Sequence, residues 1–250
     1  MIRVENLTVK TATGKELISA VSFEIPKGQT LALYGPNGSG KSTLLRAMAG
    51  LSSHHEMMGE VTAQGVRVGE ALTPAERVKR VVYFGSDFRA PFALEVKELF
   101  ELGAEVMGRT QGEILEVVER LNLSLFLTRD FRTLSDGEKQ LVMFARALIQ
   151  KPEILIFDET FSKLDLDKLI LVAKTVRHYS ALGTTFVVAS HDLNFLTETA
   201  DDFLFLKKGQ SVASGHVSRV LNLTTLATLY PDLALHVVVS PETGRHKVLY

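Results

Sequence analysis

Eight residues constrain this chain more than any others: GPNGSGKS, at 35–42, follows the apolar run at 29–34 and opens a helical pattern over 42–51. Two glycines separated by four residues precede a lysine and a hydroxyl residue. A strand, a glycine-rich turn and a helix in that order gather backbone N–H groups around one point. Side chains would block the approach, and glycine takes the positive φ angles the turn needs. The helix adds free N–H groups and the positive end of its dipole. Such a loop cradles a phosphate chain, with Lys41 reaching the terminal phosphates and Ser42 placed to ligate Mg²⁺.

Composition narrows the surroundings of that loop. The 250 residues suggest one large domain or two small ones, and 28 basic against 29 acidic residues leave a net charge of −1. Near-neutral balance predicts no nucleic-acid partner held by bulk charge. Without cysteine there are no disulfides, thiolate metal sites or cysteine nucleophiles. No apolar stretch approaches the roughly 20 residues of a membrane span, and MIRVENLTVK lacks the apolar core of a secretion signal. The expectation is a soluble cytoplasmic chain whose membrane work, if any, goes through a partner. The histidines other than His191 match no motif, so zinc is not expected.

Along the chain, 2–9 and 21–25 roughly alternate as strands do. From about 92 to 149 the pattern is helical, in EVKELFELGAEV and GEILEVVERLNL. The runs at 154–157 and 185–189 are nearly all apolar, as in strands buried on both faces of a parallel sheet, with a crossover helix at 168–179. Strands alternating with helices predict an α/β fold, the helical middle being an insertion and a short β-rich tail following about Leu226.

Two further segments carry chemistry. ILIFDE, at 154–159, sets two acids at the end of a buried strand, the edge where open α/β sheets bind ligands. Asp158 is placed to hold Mg²⁺ and Glu159 to take a proton from a water attacking a γ-phosphate. In TLSDGEKQLVMFARALI, Ser135 with Glu138 three residues on forms a capping box. Leu141, Phe144, Ala145, Leu148 and Ile149 then share one apolar face. By itself that segment need be no more than a well-started helix.

In order, GPNGSGKS, LSDGE, ILIFDE and His191 in VVASHD resemble the ATP-binding-cassette ATPases, over essentially the whole chain. The resemblance implies a phosphate-loop NTPase core with a mostly parallel sheet, an N-terminal antiparallel β part and a helical subdomain inserted at about 87–150, all in one nucleotide-binding domain spanning 1–250. It implies ATP held by Gly35, Pro36, Asn37, Gly38, Ser39, Gly40, Lys41, Ser42 and Thr43, with Mg²⁺ on Ser42 and Asp158. Glu159 and His191 would be catalytic, and Asp165 in SKLD would communicate across a dimer. Ser135 and Gly137 would close over the ATP of a second copy in a head-to-tail homodimer. That fits their placement at a helix N-terminus, too distant to serve the Lys41 loop of their own chain.

Several positions depart from the family pattern. Where a Mg²⁺-sensing glutamine is expected the chain has Ser86, with Asp87 beside it as a substitute ligand. No aromatic stands near Thr11 to stack on adenine. Asp136 replaces a glycine, Glu138 a glutamine, and Thr160-Phe161 a Pro-Thr pair. None of these removes Lys41, Asp158, Glu159 or His191, so an active ATPase is expected.

The tail at 223–250 resembles that of ATPases serving importers of iron-siderophores, haem and vitamin B12, although its turn and hairpin would also suit simple structural closure. FRAPFALEV, at 88–96, is either core or the groove that receives a membrane subunit. The resulting expectation is an ATPase subunit of a metal-chelate or corrinoid importer. It would sit peripherally on the cytoplasmic face of the inner membrane, bound to integral permease subunits and not touching the solute. Two other readings stay open: a soluble ATPase for iron–sulfur assembly, and a regulatory module that uses ATP only to dimerise.

Overall fold

Residues 1–52, 55–68, 73–85, 93–105, 107–233, 235–241 and 243–249 are described by the computed structural model. The chain opens with β1 (Ile2–Thr11) and β2 (Glu16–Ile25), paired antiparallel, with Ile2, Val4, Leu7 and Val9 of β1 buried between exposed or half-buried neighbours. β3 (Thr30–Tyr34) is buried along its whole length and leads through the glycine loop into α1 (Lys41–Met48). β4 (His55–Ala63) pairs antiparallel with β1 and with the short β5 (Val66–Arg67). This four-stranded sheet has the order β2-β1-β4-β5.

A helical stretch then separates two strands of the second sheet. α2 (Pro74–Arg80) runs into β6 (Val81–Phe84), followed by α3 (Val96–Glu105), α4 (Gln111–Arg120) and α5 (Asp136–Gln150). The predicted helical middle is thus broken. Two short 3₁₀ turns, at Ser124–Phe126 and Phe131–Thr133, lie between α4 and α5. The starts of α2, α4 and α5 share one device, a capping box in which Thr73, Thr110 or Ser135 exchanges bonds with a glutamate three residues on.

Alternation resumes with β7 (Ile154–Asp158), α6 (Leu166–Ala181), β8 (Thr185–Ala189), α7 (Leu193–Thr199), β9 (Asp202–Lys207) and β10 (Gln210–His216). The six-stranded sheet has the order β10-β9-β3-β8-β7-β6 and is parallel except for the edge strand β10. α8 (Val217–Val220) and α9 (Leu223–Leu229) follow, so the tail begins as helix. Asn222 caps α9 while Leu226 and Leu229 are buried. Only β11 (His236–Val239) and β12 (His246–Leu249) form the expected hairpin, of which Glu242 lies outside the described residues. Asn194 exchanges two hydrogen bonds with the Val248 backbone, at 3.1 and 2.9 Å, and Glu198 pairs with Arg245 and Lys247. No helix among the described residues is long and apolar enough to cross a membrane.

The parallel strands are apolar on both faces because both are covered. Ile154, Ile156, Leu31 and Leu33 pack towards α1 and the antiparallel sheet, while Leu155, Phe157 and Ala32 pack towards α5, α6 and α7. Phe157 centres the second core: its ring lies 5.3 Å from Phe144, 5.1 Å from Phe161, 5.9 Å from Phe84 and 6.4 Å from Phe186. Phe161, one of the departures from the family pattern, therefore completes this cluster. Phe157 also immediately precedes Asp158, so the cluster fixes the strand end that carries the acid. Phe157→Ala should lower unfolding free energy by about 3–5 kcal/mol, measured by urea denaturation. A loss under about 1 kcal/mol would mean the cluster does not hold β7.

Candidate functional site

The parallel register assembles the site. Leu33 of β3 and Asp158 of β7 both pair with Ala189 of β8, so three strands end at one level. The glycine loop, the two acids and His191 all leave from that edge.

Two of the loop's glycines answer to close packing, while Gly38 stands at φ 74° in open space. A Cβ on Gly35 would lie 2.1 Å from the Leu206 carbonyl oxygen, and Gly40 stands at φ 104° with its Cβ position 2.8 Å from Ile18 Cδ1. Gly40 offers α1 no side-chain cap, and no acid lies in the helix's first turn. Unlike the starts of α2, α4 and α5, this N-terminus keeps its free donors for an external anion. Lys41 is 5% exposed. Its Nζ donates to the Gly35 carbonyl at 2.9 Å and the Pro36 carbonyl at 3.3 Å, and lies 3.5 Å from Glu159 Oε1. Ser39 is buried with its hydroxyl unpartnered, Ser42 and Thr43 are half-buried, and Asn37 and Gly38 are exposed.

At the end of β7 the two acids have different surroundings. Asp158 is buried, and its Oδ2 accepts a hydrogen bond from Tyr83 Oη at 2.9 Å. Its Oδ1 is buried without a partner. A carboxylate oxygen in that state costs free energy unless a cation or donor meets it. Ser42, Asp158 and Glu159 line one cavity of 630 Å³ with Tyr83, Arg46 and Arg146. Hard oxygen donors and an orphaned carboxylate oxygen suit Mg²⁺.

Glu159 adopts φ +54°, a left-handed conformation that costs a non-glycine residue about 1–2 kcal/mol. Its N–H donates to the Ala189 carbonyl at 3.0 Å, and the next residue, Thr160, is tied by its hydroxyl to the Phe84 carbonyl at 3.0 Å. The strained backbone directs the carboxylate between Lys41 and His191, whose Nε2 lies 2.8 Å from Glu159 Oε2. Strain of this kind concentrates at functional sites.

The segment around Ser135 stands apart from this cluster and does not line its cavity. Ser135 N–H donates to Glu138 Oε2 at 2.7 Å, and Glu138 N–H to Ser135 Oγ at 3.3 Å. The backbone and side-chain hydrogen bonds from Ser135 hold the Glu138 carboxyl below its usual range, and the Lys163 ammonium does the same for Asp136. The capping box thus occupies the Ser135 and Glu138 N–H groups at this helix end. Gly137 is needed sterically as well, since a Cβ would meet the Lys163 carbonyl oxygen at 2.8 Å. Asp165 caps α6 through the Lys168 N–H at 3.0 Å.

Ser86 and Asp87, the expected additional metal ligands, and residues 88–92 of the expected partner groove lie outside the described residues. At the groove's other end Leu94 and Val96 pack into the core. Tyr83 was not legible as a site residue. No motif spacing joins 83 to 158, and only the pairing of β6 with β7 brings them together.

Residues 18–162 match the ABC transporter family. The chain belongs to that family. It is 33% identical over 241 residues to the hemin import ATP-binding protein HmuV of Rhodopseudomonas palustris (strain BisB18), covering 92% of this chain and 88% of that protein. A metal-chelate type ABC transporter in an inward-facing conformation superposes with a TM-score of 0.78 at 25% identity, over 100% of this chain and 97% of that one. The fold is shared with the ADP conformation of another ABC transporter's ATP-binding cassette, at TM-score 0.79 and 24% identity over 93% of this chain and 99% of that one. As an ABC ATP-binding subunit, the chain binds nucleotide and hydrolyses ATP to power transport.

Burial and the Asp158 charge push the Tyr83 phenol up to about 12. The folded value lies above the unfolded one, near 10. The group's contribution to stability is therefore whole below about pH 10 and lost as pH rises through about 12. The stability of the wild-type protein relative to Tyr83→Phe, from urea unfolding, should fall between about pH 10 and 12. Parallel curves for the two proteins would contradict this environment for Tyr83.

Proposed function

We propose that this ABC ATPase energises import of haem or a related metal chelate, as a homodimer on the cytoplasmic face of the membrane bound to integral permease subunits. The cargo class rests on the haemin-import relatives and on the metal-chelate type neighbour that the chain matches over its whole length. The chemistry rests on one observation: the Glu159 carboxylate is held between Lys41 and His191 beside the unpartnered Oδ1 of Asp158.

In this reading the chain is a single nucleotide-binding domain whose inserted helical subdomain spans about 87–150. The backbone of 35–43 receives the triphosphate, and Lys41 exchanges loop carbonyls for phosphate oxygens. Ser42 and Asp158 hold Mg²⁺, which when bound neutralises charge on the phosphates. Glu159 accepts a proton as water attacks the γ-phosphorus and the bond to the bridging oxygen breaks, releasing ADP. His191 orients Glu159 and the water. Ser135 and Gly137 of a second copy close over the phosphates, with Asp165 at the same interface. ATP binding then favours the closed pair and hydrolysis reopens it, which moves the attached permease.

Glu159→Gln should lower turnover by at least about 100-fold, the loss of a general base, while ATP binding and the ATP-dependent dimer persist. Phosphate release, nucleotide binding and light-scattering mass check the three properties. Turnover near the wild-type rate would remove Glu159 from the mechanism. A deletion strain that still takes up haemin and other iron chelates at the wild-type rate would overturn the cargo.

A further inference from the structure

The cavity that holds the orphaned Asp158 oxygen contains a feature the reaction above does not use. Tyr83 donates its phenolic hydrogen to Asp158 Oδ2 at 2.9 Å and accepts one from Arg46 Nε at 3.3 Å. Arg46 lies on α1, one turn beyond Ser42 on the same helix. The two residues proposed to hold the metal, Ser42 and Asp158, are therefore joined through α1, Arg46 and Tyr83. Gly85 bears on this arrangement too. A Cβ there would stand 3.3 Å from the Tyr83 hydroxyl oxygen, so a residue without a side chain keeps the phenol's position clear.

A carboxylate's terminal torsion is broad and roughly two-fold, so burial alone does not decide which oxygen faces the cavity. One strong donor does. With Oδ2 engaged by Tyr83, Oδ1 is the oxygen left for a cation. Partners behind a metal ligand orient it in this way and raise its affinity for the ion. Tyr83 suits the task because a phenol can donate to the carboxylate and accept from the guanidinium at once.

We propose that Tyr83, steadied by Arg46, is a positioning residue that orients the Asp158 carboxylate for Mg²⁺ and thereby sets how strongly the metal contributes to nucleotide binding. The inference rests on the reading of Asp158 as the metal-holding acid, and it can be tested separately from that reading.

The test measures binding of a fluorescent methylanthraniloyl ATP to the full chain in EDTA and in MgCl₂, for wild type, Tyr83→Phe and Arg46→Met. Expected for Tyr83→Phe is an affinity in EDTA within about twofold of wild type and a magnesium-dependent gain reduced about 10-fold. Turnover should be recovered in part by raising Mg²⁺, so that the apparent KM for the metal moves more than kcat. Arg46→Met should fall between wild type and Tyr83→Phe. A merely structural role would weaken binding equally in both buffers. A magnesium gain within about twofold of wild type in Tyr83→Phe overturns the proposal, as does a wild-type gain in Arg46→Met should Tyr83→Phe fail to fold. Wild-type protein that binds the probe no better with magnesium than without overturns the metal reading of Asp158 itself. Wild-type protein that ignores the probe altogether overturns the proposed function.

Discussion

The pairing of β3, β8 and β7 sets the level at which the candidate site assembles. Because Leu33 and Asp158 share Ala189 as their neighbour, the glycine loop, the acidic pair and His191 emerge side by side from strands far apart in the chain. Parallel strands need long crossovers, and the helices that supply them also cover both faces of the sheet. The apolar character of β3, β7 and β8 and the position of the site are thus two consequences of one topology.

Around that edge, charge is distributed with little waste. Lys41 is buried but engaged by two loop carbonyls and by Glu159. Glu159 is strained yet tied down by the Ala189 carbonyl and His191. Two of the buried polar atoms without partners, Ser39 Oγ and Asp158 Oδ1, lie in the glycine loop and at the end of β7, where the proposed nucleotide and metal would sit. The two helix starts divide the same way. α1 has no side-chain cap behind Gly40, whereas at the start of α5 Ser135 and Glu138 bond each other's N–H groups.

The departures from the family pattern have different standing once packed. Phe161 belongs to the aromatic cluster, and Thr160 bonds the Phe84 carbonyl, so that pair is explained by neighbours within the chain. Asp136 is met by Lys163 and Glu138 by Arg129 at 3.5 Å. Thr11 bonds Thr13 at the end of β1 and pairs across the sheet with His55.

Local sequence determined what local chemistry can determine. A glycine loop between a buried strand and a helix, a capping box at Ser135, two acids after an apolar run and the α/β alternation each express a preference within a dozen residues. The family followed from the order of those motifs. Tertiary structure decided what depends on register and on side chains meeting across strands. The positive φ at Glu159, the unpartnered oxygen of Asp158 and the bond from Tyr83 are of this kind. The physical reason is distance along the chain: residues 83 and 158 carry no mutual signal until β6 lies beside β7 and their side chains share one cavity.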